Sequence, residues 1–135
     1  MNPLVLTARI VFGAGLLLNG LNHFFLRLWP EPVGIDPLAV QLMAAFVHSH
    51  LLDVAMFIEL VAGALILTGS FVPVALCVVM PVSTCALYWS LVLDHQALGA
   101  LLALIAFALN ALLMFAYLDY YRGALARHAP TLGEA

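Results

Sequence analysis

Glu59 lies in the middle of an apolar run, Leu51-Leu52-Asp53-Val54-Ala55-Met56-Phe57-Ile58-Glu59-Leu60-Val61-Ala62-Gly63-Ala64-Leu65-Ile66-Leu67. A carboxylate at bilayer depth costs roughly 2.5–3.5 kcal/mol on insertion scales, so it must face protein or trapped water and find a partner. A second polar set precedes it. Arg9, Asn19, His23 and Arg27, with Phe12 and Leu16 between them, step along the chain by three and four. That spacing puts them on one helix face, with Asn22 on its shoulder. Such a stripe turns away from lipid and toward Glu59. Acid, imidazole, amide and guanidinium on facing helices are the parts of a proton relay or of a polar head-group site. Glu59 and His23 are the candidate catalytic groups, and Arg9, Asn19, Asn22, His23 and Glu59 form the candidate binding site. Depth arithmetic, at 1.5 Å per residue, predicts an Arg9–Glu59 contact, direct or through water. The plainer alternative is a buried ion pair that sets helix register and adds little net stability.

A second constellation gathers histidines at helix ends. His23, His48, His50 and His95 are all expected at one boundary of the bundle, joined by Asp53 and Asp94. His50 and Asp53 are three apart and share a helix face. Imidazole and carboxylate together suit Zn, Cu or Fe, so His23, His48, His50, Asp53 and His95 are the candidate ligands of a metal, with haem an alternative occupant. No spacing among them matches a known ligand motif. Capping and interfacial placement explain the same residues without a metal.

These groups need a framework. The chain has 135 residues, of which 66% are hydrophobic and 8% charged, against a globular norm of about 25% charged. The apolar residues fall in four blocks, about 4–28, 51–67, 71–93 and 97–118, each near the length that spans a bilayer. Backbone groups in lipid must be satisfied within the segment, so the blocks are helices. The expected fold is all-α: an integral membrane four-helix bundle forming a single domain over 1–135. The hinges Thr68-Gly69-Ser70 and Asp94-His95-Gln96 are short. The one long connection, 29–50, opens on prolines. It then offers Asp36-Pro37 as an N-cap with proline at the first helical position, predicting a short surface helix over 38–47. A tail follows at 119–135.

The first block is longer than a signal peptide and has neither a basic leader nor a cleavage site, so it reads as retained. The chain carries four arginines and no lysine. Arg9, Arg122 and Arg127 lie toward the end that holds both termini, and Arg27 toward the other. The positive-inside rule then makes the chain a multi-pass protein of the inner (plasma) membrane with both termini cytoplasmic. Trp29, Tyr88 and Trp89 are expected in an aromatic belt at the outer boundary, and Tyr117, Tyr120 and Tyr121 at the inner one. Cys77 and Cys85 are eight apart on one helix, beyond disulfide reach, and read as packing residues. Pro81 should kink the third span, with Ser83, Thr84 or water meeting the freed carbonyl. Gly99 and Ala103, with Ala106 nearby, allow close helix approach, and Asn110 offers an interhelical hydrogen bond. A net charge of −3 with no basic patch gives no footing for nucleic acid. Phosphate loops, nucleophile elbows, zinc-protease helices and dinucleotide fingerprints are absent, so chemistry here needs a cofactor or a partner subunit.

Gly20-Leu21-Asn22-His23-Phe24-Phe25, Glu59-Leu60-Val61-Ala62-Gly63-Ala64-Leu65-Ile66-Leu67, Phe71-Val72-Pro73-Val74-Ala75-Leu76 and Pro81 resemble, in order and spacing, the DoxX and DoxX-like family of small integral membrane proteins. The resemblance implies a four-helix membrane bundle with Arg9, Asn22, His23, Glu59, Gly63, Pro73 and Pro81 at motif positions. It also implies association with thiosulfate:quinone oxidoreduction and with complexes handling thiol or oxidative stress; distant relatives resemble assembly chaperones. The chain departs from the family in its third span. There Cys85 and Tyr88-Trp89 stand where many relatives carry an asparagine and a Phe-His pair. Two expectations follow: the membrane subunit of a quinone-linked or thiol/sulfur redox complex, working with a partner redox subunit, or a non-catalytic scaffold or chaperone binding a client protein. A small transporter, requiring a homo-oligomer, is a third.

Overall fold

The computed structural model describes residues 2–30 and 32–126; Arg127 and the tail beyond it, counted above for orientation, lie outside the described residues. Four helices are long and apolar enough to cross a membrane: Pro3–Leu26, Leu51–Thr68, Val72–Leu93 and Ala97–Ala116. At 1.5 Å per residue they are roughly 27–36 Å long, matching a hydrocarbon layer of about 30 Å. Their ends fall within two residues of the limits set by hydropathy. The chain is an all-helical, multi-pass membrane bundle. Large apolar side chains cover its outside, among them Leu4, Phe57, Val74, Leu98 and Phe115, as lipid contact demands.

Helix α1 runs Pro3–Leu21 and passes into a π-helical turn at Asn22–Leu26. Its start is set by Asn2, whose side chain accepts a hydrogen bond from Leu4 N, followed by proline. Helix α2, Pro37–His48, is the short connecting helix, capped by Asp36 as the sequence suggests. Helix α3 is Leu51–Thr68 and ends on Gly69 in the left-handed region (φ 85°), the usual way to close a helix. Helix α4 is Val72–Tyr88, continuous through Pro81, and passes into a second π-helical turn at Trp89–Leu93. Helix α5 is Ala97–Ala116, followed by a 3-10 turn at Leu118–Tyr121. Tyr121 Oη donates to Pro73 O at 2.6 Å, tying the end of α5 to the start of α4. The N-terminus and the end of α5 thus share one end of the bundle, the terminal end. The connection 27–50 and the 94–96 hinge share the other, the loop end.

Helices α1 and α3 touch backbone to backbone. A Cβ built on Gly63 would lie 2.5 Å from Leu17 N and 2.9 Å from Gly13 O. One on Gly13 would lie 2.8 Å from Leu67 N, and one on Gly20 2.7 Å from Leu60 Cβ. Gly13, Gly20 and Gly63 are therefore required by space. Close approach was expected at Gly99 instead. A Cβ there meets nothing within 4 Å, because that face of α5 is turned outward. Phe12, Leu16, Ala62 and Ile66 pack with Val72, Leu76, Val79 and Leu113 into the core that spans all four long helices. Asn110 Nδ2 donates to Ser83 Oγ at 3.1 Å across α4 and α5, so Ser83 serves its neighbour helix. Thr84 Oγ1 bonds back to Met80 O at 2.8 Å. Cys77 and Cys85 are free and exposed on the outside of α4 rather than packed within it.

Gly63→Ala should disrupt the bundle, since its methyl meets main-chain atoms that cannot step aside. Overpacking of this kind costs about 1–3 kcal/mol. Thermal unfolding in mild detergent checks this, with Gly15→Ala, whose Cβ enters open space, expected to leave the midpoint unchanged or slightly raised.

Candidate functional site

The antiparallel register that the glycines impose places the polar side chains of α1 opposite those of α3. Asn19 Nδ2 donates to Glu59 Oε2 at 2.6 Å and also reaches Met56 Sδ at 3.6 Å. Glu59 is 8% exposed, so its carboxylate is held inside the bundle as its position required. One turn beyond Asn19, His23 Nε2 meets Asp53 Oδ1 at 2.6 Å, and His50 Nδ1 meets Asp53 Oδ2 at 3.0 Å. Exposure rises along this series: the His23 side chain is 13% exposed, Asp53 46% and His50 81%. A column of polar groups thus climbs from the buried Glu59 level to water at the loop end.

Arg9 is not part of that column. Its guanidinium rests on Gly69, where an added Cβ would lie 3.1 Å from Nη1. That is ten residues, roughly 15 Å, along α3 from Glu59. The expected Arg9–Glu59 contact assumed that the start of α1 and the end of α3 lie at equal depth. The glycine register instead lets α1 overrun the end of α3. The cation then sits on the C-terminal end of α3, where the helix dipole and the unpaired carbonyls favour positive charge. Helix α3 carries no basic residue of its own in that turn.

Asn22 has a structural task. Buried at 3% exposure, its Oδ1 accepts from Leu28 N at 2.5 Å and Trp29 N at 3.1 Å, while its Nδ2 donates to Trp29 O at 3.0 Å. It therefore closes the chain reversal after the π-helical turn. Asp94, likewise buried, holds the next stretch. Its Oδ1 accepts from Ile35 N at 2.7 Å and Asp36 N at 3.3 Å. Trp89 was expected in the outer aromatic belt. It is instead 8% exposed, packed on Ala39 and Met43, with Nε1 donating to Ala39 O at 2.9 Å. The loop and α2 are thus pinned onto the ends of the first and third spans. No local sequence feature announces the bonds from Asp94, whose partners are nearly 60 residues away.

The pinned loop leaves a cleft of about 450 Å³ beside the top of the column, lined by Asn22, His23, Phe24, Arg27, Trp29 and Asp53. Arg27 reaches its rim because the chain leaves the π-helical turn in the left-handed region (φ 49°). The straight stripe expected of Arg9, Asn19, His23 and Arg27 therefore ends at His23. The proposed metal set does not assemble. His48 is exposed in the last turn of α2, and His95 is exposed in the 94–96 hinge with φ 58°. Among the described residues no three His, Cys, Asp or Glu side chains converge as a metal-holding group. His23 and His50 bond to opposite oxygens of Asp53, which puts the carboxylate between the two rings.

The binding candidates divide accordingly. Asn19, His23 and Glu59 belong to one column, Asn22 walls the cleft, and Arg9 stands at the far end. Arg27, Trp29 and Asp53 complete the cleft. The 50–53 spacing pointed to Asp53, but only the π-helical turn and the loop path bring Arg27 and Trp29 beside it. Comparison with family models, with curated proteins and with solved structures finds no match.

Asp94→Leu should release the loop, because it removes the acceptor of two half-buried hydrogen bonds, at about 1 kcal/mol each. Hydrogen–deuterium exchange of residues 32–38 should rise sharply while exchange in α1 and α3 stays unchanged.

Proposed function

We propose that this chain is a DoxX-like membrane subunit of a quinone-linked or thiol/sulfur redox complex in the plasma membrane, with both termini in the cytoplasm. The observation that carries the reading is the polar column: Glu59 with Asn19 inside the bundle, His23 with Asp53 above them, and a cleft opening beside His23 and Asp53. Ionisable residues within a span mark proton or ligand paths by default. The remainder of the argument is by analogy with the family resembled.

The cleft suits a quinone head group. Its volume lies in the range of small-molecule sites. Phe24 and Trp29 offer flat apolar walls, and Arg27 and the His23 ring offer hydrogen-bond donors at the height where a head group meets water. A quinone bound there would supply a two-electron, two-proton couple. The residues of this chain would then orient it and move protons. Arg27 and His23 would hold carbonyl oxygens in place, and Asp53, an ionised acceptor bonded to His23 Nε2, sets the orientation of that ring. Glu59 is the next ionisable group along the column. In this assignment His23 and Glu59 are the groups that exchange protons, and Asn19 positions Glu59.

A second reading, the scaffold or assembly chaperone, is favoured by one feature. Asn22, Asp94 and Trp89 are all spent on fastening the loop and α2, which leaves Leu38 and Val47 of α2 exposed beside it. That edge could dock a client.

Protein extracted in mild detergent and analysed by mass spectrometry should carry quinone near one per chain. His23→Leu should lower that occupancy about tenfold, as expected for losing a hydrogen bond worth about 1.4 kcal/mol, while Arg9→Gln should leave it intact. Quinone-free protein that co-purifies with a stoichiometric partner overturns this reading in favour of the scaffold.

A further inference from the structure

The polar column is one-sided. Among the described residues, the acidic and basic groups that follow Glu59 along the α1–α3 face lead toward the loop end: His23 on α1, Asp53 on its own helix, and His50 beyond Asp53. Helices α4 and α5 contribute no acidic or basic side chain. Toward the terminal end the picture reverses. Immediately below Glu59 the backbones of α1 and α3 are in contact at Gly13, Leu17, Gly63 and Leu67, so close that a single methyl group has no room. Around that contact Phe12, Leu16, Ala62 and Ile66 are buried, each at 7% exposure or less. Arg9, the next charged group in that direction, lies about 15 Å along α3.

We infer that Glu59 exchanges protons only with the aqueous phase at the loop end, through His23 and the cleft, and that the buried apolar side chains Phe12, Leu16, Ala62 and Ile66 seal it from the phase bathing the termini. A proton moves between water in the cleft and the imidazole of His23, then between His23 and the Glu59 carboxylate. No electron transfer or covalent change is involved. The backbones of α1 and α3 touch on both sides of Glu59, at Gly63 and at Gly20, but the side chains beside the lower contact are apolar and buried, whereas His23 stands one helical turn above Asn19, which is itself bonded to Glu59. Whatever reaction the cleft serves, its protons are then taken from or delivered to one face of the membrane. The inference rests on the proton-exchange role given to Glu59 and His23 above, and it does not depend on a quinone.

The test uses the whole chain in proteoliposomes. Dicyclohexylcarbodiimide enters from the lipid and reacts with protonated carboxyl groups, and adduct formation at Glu59 is read by peptide mass spectrometry. Orientation is assigned with Gln96→Cys, which places a thiol in the exposed 94–96 hinge for an impermeant maleimide, the unsubstituted chain serving as blank. A pH step is then imposed on one side of the vesicle at a time. The labelling rate of Glu59 should rise several-fold on acidifying the phase at the loop end and should ignore the phase at the termini. His23→Gln, which keeps a polar side chain at the same place, should slow that response several-fold while leaving the protein folded by circular dichroism. Labelling that follows the terminal side, both sides equally or neither, a Glu59 that never reacts, or a His23→Gln response equal to wild type overturns the inference. If one-sided labelling persists in protein that never holds a quinone, the redox reading falls and the sidedness stands.

Discussion

The close contact between α1 and α3 governs the rest of the molecule. In lipid, helices gain little from hiding apolar surface from one another, so association depends on packing and on interhelical hydrogen bonds. Gly13, Gly20 and Gly63 let the two backbones meet, and the register they set decides which side chains are level. Asn19 meets Glu59 and His23 meets Asp53. A slip of a single residue would rotate Glu59 toward lipid and strand Asn19. The steric contact and the polar contacts therefore reinforce one another: the glycines supply the distance, and the hydrogen bonds penalise any other alignment.

That register also distributes charge through the bundle. Arg9 is carried past the last turn of α3 and sits at its C-terminal end, where a cation is electrostatically welcome. Glu59 lies well away from that cation and accepts a hydrogen bond from the Asn19 amide. Helices α4 and α5 carry no acidic or basic side chains and behave as an apolar wall, joined to one another by Asn110 and Ser83. The acidic and basic side chains of the four long helices are thereby confined to the α1–α3 pair.

Hydropathy made the four spans, the short α2 and its Asp36 cap legible, because segment length and capping chemistry are local properties. The burial of Glu59 was legible for the same reason: its apolar flanks leave it no other place. Its partner was not. Choosing between Arg9 and Asn19 needs the offset between two helices, and that offset comes from glycine contacts some 50 residues apart in sequence. Trp89 misled because an aromatic at a span end reads as an interfacial anchor, while here α2 folds over it. Gly99 misled because a small residue signals close approach only if another helix lies on that face. The cleft itself was invisible, since its walls are assembled by Asn22 and Asp94 reaching for the backbone of a proline-containing loop.

The irregular backbone also has a direction. Both π-helical turns, Asn22–Leu26 and Trp89–Leu93, lie at the loop end, and so do Arg27, His50 and His95, three of the four non-glycine residues with positive φ among those described. Each such residue costs of order 1–3 kcal/mol and persists where surrounding structure enforces it, and π-helical turns recur at functional sites. Among the described residues of the terminal end only Phe71 departs from regular geometry in this way. The extra residue in the first π-helical turn takes Arg27 off the stripe it would follow in a straight helix and sets it on the cleft rim. The second turn brings Asp94 under the loop that forms the opposite wall. Strain, open volume and the upper end of the polar column coincide at one end of the bundle, while buried apolar side chains lie just below Glu59. A chain built only to pack four helices would have no need of that polarity.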